Sequence, residues 1–378
     1  MLITPKLQPV ADRFFEQVEE QPYGGASLCI YQHGEPILDI WAGESRPGVK
    51  WQRDTQQVIF STTKGLITLL VMRAVERGEI DINERVAKYW PEFGCNGKED
   101  ITVKMILRHR AGLSAPENDL TLEDLLALSP VEDQFAQQSP IFPPDSGFAY
   151  HALSIGHLLG KILFNVTGKR VRELIQEEIA RPLGVPAWIG VPKDASIDIA
   201  LLKSDQPIVK PAIKPATKEY WEDRAMSYGG AMGWLLDSEV GGWNDPRVYQ
   251  AEIAGAGGVT NARAIAKIYS ATVTETDGIK LLEDSTIKEA LAHPNPGDNI
   301  FGDPQPHPIH SLGFIIGNPQ HSPALTQTTF GHDGLGGQQG FGDLEKEIGF
   351  GYTTNWVPVF ADGMLRHREL TKNLIECL

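Results

Sequence analysis

Val58-Ile59-Phe60-Ser61-Thr62-Thr63-Lys64-Gly65-Leu66-Ile67-Thr68-Leu69-Leu70-Val71-Met72 is the stretch on which the reading of this chain turns. An apolar approach runs into a small hydroxyl cluster, a lysine follows Ser61 at the third position, and a long apolar helix pattern comes after it. At that spacing Ser61 and Lys64 share one helix face, within a turn of each other. A hydroxyl at a helix start with an amine beside it is a candidate nucleophile with its own proton handler. The pattern alone is weak, because Ser285-Thr286-Ile287-Lys288 repeats it. That copy lies among Glu283, Asp284 and Glu289 and reads as a solvated helix start. Around Ser61 the neighbours are apolar, which places Lys64 partly inside, where an ammonium without a role is costly.

Outward from this stretch, apolar spacing predicts an amphipathic helix over residues 6–20 and strands over 26–32 and 36–42, joined at His33-Gly34-Glu35. The helix opened by Ser61 is expected to end near Arg77, with Gly78 as its stop and the hairpin packed beside it. From residue 79 to about 244 short helices dominate: 84–89, 102–109, 122–128, 152–166 and 171–180, the last two punctuated by Gly168 and Pro182. Residues 185–250 are rich in proline, glycine and tryptophan and read as loops that wall a cleft. Gly255-Ala256-Gly257-Gly258 permits a tight backbone, and Thr260 can cap a helix over 261–271. A phosphate loop would need a lysine and a strand–helix setting that this stretch lacks. Strands over 326–331, 338–342 and 348–354 and a helix over 363–377 close the sequence.

Strands at both ends with a helical middle imply an α/β (α+β) fold, in which one antiparallel sheet is assembled from both termini. The expected division is an α/β domain from residues 1–78 and 251–378, and a mostly helical domain with cleft-forming loops from 79–250. A length of 378 residues suits two packed lobes. A net charge of -15 repels nucleic-acid phosphates and anionic lipid heads, so neither is expected as a partner. Apolar runs are too short to cross a bilayer. The start, Met1-Leu2-Ile3-Thr4-Pro5-Lys6, lacks a basic region followed by an apolar core, so a cytoplasmic protein is expected. Cys29, Cys95 and Cys377 are scattered and odd in number, which makes no disulfide framework.

A serine nucleophile needs a base. The chain has no Gly-x-Ser-x-Gly, the signature of the α/β-hydrolase elbow. Tyr150 follows Asp145-Ser146-Gly147-Phe148-Ala149 at a loop–helix junction, where it faces a cleft or packs as an ordinary half-buried aromatic. Lysine and tyrosine both have ordinary pKa values of about 10, so each must be perturbed to act near neutrality. An ammonium beside the phenol would lower the phenol, and burial would lower the lysine. Phe330-Gly331-His332-Asp333-Gly334-Leu335-Gly336-Gly337 lies between two strand patterns. Its glycines admit a substrate to a strand edge whose N–H groups could hold an oxyanion, or else it is a glycine-rich turn with a solvated histidine. Asp303, His307 and His310 lie in a proline-rich stretch without rigid spacing, so no metal site and no cofactor is expected.

Taken together, Ser61-Thr62-Thr63-Lys64, Tyr150-His151-Ala152 and His332-Asp333-Gly334 resemble, in order and rough spacing, the class C β-lactamase-like serine hydrolases. The stretch from Ile101 to Leu113 and the ending Gly349-Phe350-Gly351-Tyr352-Thr353-Thr354-Asn355 add to the resemblance, which covers nearly the whole chain. It implies the β-lactamase/penicillin-binding-protein-like fold, with Ser61 as nucleophile, Lys64 as its proton partner and Tyr150 as general base. It further implies an oxyanion hole from the N–H groups of Ser61 and Leu335, and substrate binding by His332, Asp333 and Gly334. Two departures stand out: Ala152 replaces the asparagine of Tyr-x-Asn, and His332-Asp333-Gly334 replaces Lys-Thr-Gly. The missing groups bind the β-lactam amide and carboxylate, and their loss is common in the family VIII carboxylesterases, which this sequence resembles most. The expected activity is a serine esterase acting on small or short-chain esters through an acyl-enzyme. A β-lactamase, an amidase or peptidase, an acyltransferase and a sensor that acylates without turnover are the alternatives on the same fold.

Overall fold

A computed structural model describes residues 1–204, 217–232, 241–295, 299–302, 308–317, 325–358 and 362–378. Its central sheet runs in the order Leu2–Ile3, Glu35–Arg46, Gly25–Gln32, Ile348–Thr354, Gln338–Asp343, Thr329–Gly334, Ile315–Ile316 and Ile309–His310. All these pairings are antiparallel. The two ends of the chain meet at its centre, where Ile348 opposes Gln32 and Thr354 opposes Ala26. The α/β fold with one antiparallel sheet assembled from both ends of the chain, as expected, is the fold observed.

One face of the sheet is covered by the helices Gln8–Glu20 and Asp362–Cys377, with Val10, Phe14, Leu370 and Leu374 packed on Leu28, Ile40 and Tyr352. The other face carries the helix Ala262–Val273. Glycines at every second position of two neighbouring strands, Gly340 with Gly342 and Gly349 with Gly351, form a flat bed for it. A Cβ at Gly349 would stand 2.1 Å from the carbonyl oxygen of Ala266, and one at Gly351 as close to that of Ala262. The alternation of a strand puts such a pair on one face, so the helix backbone can lie directly on the sheet.

The helix Thr63–Glu76 is buried on nearly all sides from Thr63 to Met72. It does not pack beside the N-terminal hairpin as its position in sequence suggests. Its main neighbours are the helices Ser154–Thr167 and Val171–Ile175 and the strand Thr329–Gly334. An apolar run without a polar stripe has no preferred side, so it fits the middle of the molecule between sheet and helices.

Several expected elements shift. The helix after Gly255-Ala256-Gly257-Gly258 is capped by Asn261, whose side chain accepts from the N–H of Ala264 at 2.9 Å, and Thr260 belongs to the strand Gly258–Thr260. Pro182 does not end its helix, because a π-turn over Gln176–Ala180 frees the backbone and the helix runs to Leu183 before Gly184. Residues 185–250 hold more than loops: a strand Ala187–Ile189 and the helices Lys218–Ser227 and Pro246–Gln250. A further helix, Ser129–Gln137, buries Val131 and Phe135. Among the described residues no helix is long and apolar enough to cross a membrane.

Candidate active site

Ser61 sits in a single 3-10 turn, Phe60–Thr62, that feeds the helix Thr63–Glu76. Phe60 is in the left-handed region at φ 45° although it is bulky and buried, its ring edge-on to Trp243 at 5.4 Å between centroids. Such a conformation costs on the order of 1 kcal/mol and persists only where the surroundings enforce it. Here a small sheet does so: Gln57–Val58 pairs with Gly258–Thr260, and the N–H of Ile59 donates to Gly258 O at 2.9 Å.

Lys64 is fully buried one turn on. Its Nζ lies 2.9 Å from Ser61 Oγ and donates to the carbonyl of Gly255 at 2.8 Å. The glycine stretch 255–258 therefore folds over the lysine. Thr63 Oγ1 accepts from the N–H of Gly258 at 2.9 Å, and Gly156 leaves room for the 254–255 backbone, since a Cβ there would meet Gly255 N at 2.0 Å.

Tyr150 is half-buried and precedes the helix Ser154–Thr167. Lys64 Nζ lies 4.8 Å from the centre of its ring. Three imidazoles surround the phenol, with centroids at 5.0 Å for His109, 5.5 Å for His310 and 6.2 Å for His332. Sequence reasoning named His332 in this group and missed His109, whose only local sign is its place before Arg110-Ala111-Gly112. Of the weak metal candidates, Asp303 and His307 lie outside the described residues, and His310 is one of these three rings.

His332-Asp333-Gly334 falls inside the strand Thr329–Gly334 rather than in a solvated turn. His332 is buried, and its Nδ1 lies 2.7 Å from the carbonyl oxygen of Asp333, so Nδ1 carries the proton and Nε2 is an acceptor. Gly334 brings this strand onto the serine turn: a Cβ there would stand 2.4 Å from Ile59 O and 2.9 Å from Thr62 Oγ1. Ser61, Tyr150, His332, Asp333, Gly334 and Leu335 all open on one cleft of about 280 Å³. Phe148, Met226 and Ile315 add apolar wall to it. Ala152 lies in a small apolar cluster with Ala115 and Ala225, where an amide side chain would find apolar neighbours.

Burial dominates the electrostatics. It drives Lys64 well below the usual lysine range, with the Asp333 carboxylate pulling weakly the other way. It pushes the Tyr150 phenol up, against a hydrogen bond with Ser61 that lowers it. The expected lowering of the phenol by an ammonium is therefore reversed: a desolvated pair favours a neutral amine beside a neutral phenol. Burial also lifts Asp333 to about 6, against the opposing charges of Arg368 and Lys64. The exposed copy of the motif behaves as a helix start, with Ser285 and Lys288 on the surface of Asp284–Leu291. A larger open cleft of about 760 Å³ lies between Arg73, Lys169 and Gly278. Arg73 and Arg77 are both paired with Glu178 there, and among the described residues no serine, cysteine or histidine lines it.

Comparison with known proteins bears on the family and the fold. The family model described as Beta-lactamase matches residues 10–372. "Esterase/beta-lactamase LipL" of Mycobacterium tuberculosis is 33% identical over 366 residues, covering 93% of this chain and 81% of that protein. The structure of EstA from Arthrobacter nitroguajacolicus Rue61a superposes with a TM-score of 0.88 at 30% identity, covering 100% of this chain and 98% of that one. That of a family VIII carboxylesterase gives 0.85 at 28%, covering 100% and 99%.

Proposed function

The chain belongs to the beta-lactamase family, and from that footing we propose that it is a serine esterase acting on small, neutral, short-chain carboxylic esters. The observation that carries this reading is a buried Lys64 amine 2.9 Å from Ser61 Oγ, beside a cleft whose wall includes the Asp333 side chain. A β-lactam presents a carboxylate and an amide: the cleft wall sets an acidic side chain, Asp333, against the carboxylate, and Ala152, buried against Tyr150, has no side-chain group to offer the amide. Apolar walls from Phe148, Met226 and Ile315 suit a short acyl or alkyl group. The names of the Mycobacterium tuberculosis relative and of the family VIII neighbour support an esterase.

In the proposed reaction neutral Lys64 takes the Ser61 proton as Oγ bonds to the ester carbonyl carbon. The carbonyl oxygen becomes an oxyanion, held by the N–H groups of Ser61 and Leu335. Collapse breaks the carbon–alkoxide bond, and the alkoxide takes a proton from Tyr150, which is refilled from the Lys64 ammonium. Water then attacks the acyl-enzyme by the same groups in reverse, releasing the acid. The general-base role first assigned to Tyr150 thus passes to Lys64, and Tyr150 relays.

The deciding experiment compares a short-chain p-nitrophenyl ester with a chromogenic cephalosporin. Ester turnover far above cephalosporin turnover supports the proposal; the reverse order identifies a β-lactamase. The dual name of the Mycobacterium tuberculosis relative is the reason for that second arm. A burst of product without turnover identifies the sensor.

A further inference from the structure

His109 is fully buried and has a left-handed backbone, φ 57°. Its backbone carbonyl accepts the N–H of Ala149 at 3.1 Å, and its side-chain Nδ1 accepts the N–H of His151 at 3.0 Å. Both residues that flank Tyr150 are thus tied to one residue, whose ring also lies against the phenol. Because Nδ1 accepts, the proton of the neutral imidazole sits on Nε2. His151 adds a tie of its own: its Nδ1 donates to Ala149 O at 2.7 Å, and its Nε2 accepts the N–H of Leu113 at 3.3 Å. Burial lowers both histidines, so these acceptor positions stay unprotonated near neutral pH.

Position 109 therefore makes two demands. The backbone must accept a left-handed φ, which glycine does freely and asparagine and histidine do more readily than most residues. The side chain must place an acceptor where Nδ1 stands. Asparagine meets both demands, because its Oδ1 is separated from Cβ by the same number of bonds. Glycine meets only the first.

We propose that His109 is the positioning residue for Tyr150: it aims the phenol at Ser61 by holding the peptide groups on either side, and takes no proton itself. This rests on the reading of Tyr150 as the proton relay. A relay works only within hydrogen-bond reach, and a displacement of about 1 Å can cost about a hundredfold in rate.

The test is steady-state hydrolysis of a short-chain p-nitrophenyl ester, with thermal melts, for the wild type, Tyr150→Phe, His109→Gly, His109→Asn and the double variant His109→Gly/Tyr150→Phe. His109→Gly is expected to lower kcat about tenfold or more with KM little changed, and His109→Asn to restore most of it. Adding His109→Gly to Tyr150→Phe is expected to cost little more, because both act through one group. A folded His109→Asn as impaired as His109→Gly overturns the proposal, as does a His109→Gly with wild-type kcat. Losses that multiply in the double variant overturn it too, since a general structural role would behave that way. If His109→Gly fails to fold, His109→Asn decides alone by keeping or losing kcat. A Tyr150→Phe with wild-type kcat fails the relay reading first and removes the positioning role with it, and that outcome is distinct from the others.

Discussion

Lys64 Nζ stands 2.9 Å from Ser61 Oγ in a wall where the lysine has no exposed surface. The helix turn sets the spacing, and Gly255 O, from the far side of the fold, fixes the amine at 2.8 Å. Desolvation then favours the neutral amine, the form able to accept a proton from serine.

Lys64→Met is expected to lower ester turnover by about a hundredfold to ten-thousandfold, the span of general acid–base effects. It is also expected to stabilise the fold by about 1–2 kcal/mol near pH 7. Lys64 is depressed in the folded state, so the unfolded chain holds its proton more tightly and the fold loses stability as pH falls below the unfolded lysine value. The gain from methionine is thus larger at pH 7 than at pH 10. Melting curves at the two values read it directly.

Asp333→Asn removes the charge that favours the Lys64 ammonium. The acid limb of kcat/KM is expected to move to lower pH, by up to about one unit. The shift stays modest because Asp333, itself raised to about 6, loses its charge over the same range. A pH–rate profile of the two proteins checks the direction, and a limb that moves upward contradicts it.

Gly334→Ala places a methyl group against Ile59 O, 2.4 Å away before relaxation. Overpacking of this kind costs about 1–3 kcal/mol. The strand carrying His332 and Asp333 must retreat from the serine turn, so turnover is expected to fall together with the melting temperature. Normal activity at a reduced melting temperature would show that the strand position is not critical to the cleft.

Much of this arrangement was legible because it is local. Ser61 and Lys64 are three residues apart on one helix, and the apolar flanks that mark Lys64 as buried adjoin it in the sequence. The remainder depends on tertiary contacts that spacing rules do not see. The left-handed turn at Phe60 and the Gly255 carbonyl over Lys64 come from segments that meet only in the folded molecule. The strand read over 326–331 lies instead at Thr329–Gly334. Thr326 and Thr328 look like strand residues, yet with Thr329, the first residue of the strand, their hydroxyls donate to the Asp343 carboxylate at 2.8–2.9 Å, which holds the segment before Thr329 out of the sheet. The helix Ser129–Gln137 is absent from the sequence reading, although Pro130 stands at its start, where proline is favoured.

The most direct test of the account is acid-quenching during turnover of a short-chain p-nitrophenyl ester, followed by peptide mass mapping, on the wild type, Ser61→Ala and Ser285→Ala. The account predicts an acyl group on the peptide that contains Ser61 in the wild type and in Ser285→Ala, both fully active, and neither acyl group nor turnover in Ser61→Ala. An acyl group on another residue, or a Ser61→Ala protein that hydrolyses the ester at the wild-type rate, would contradict it.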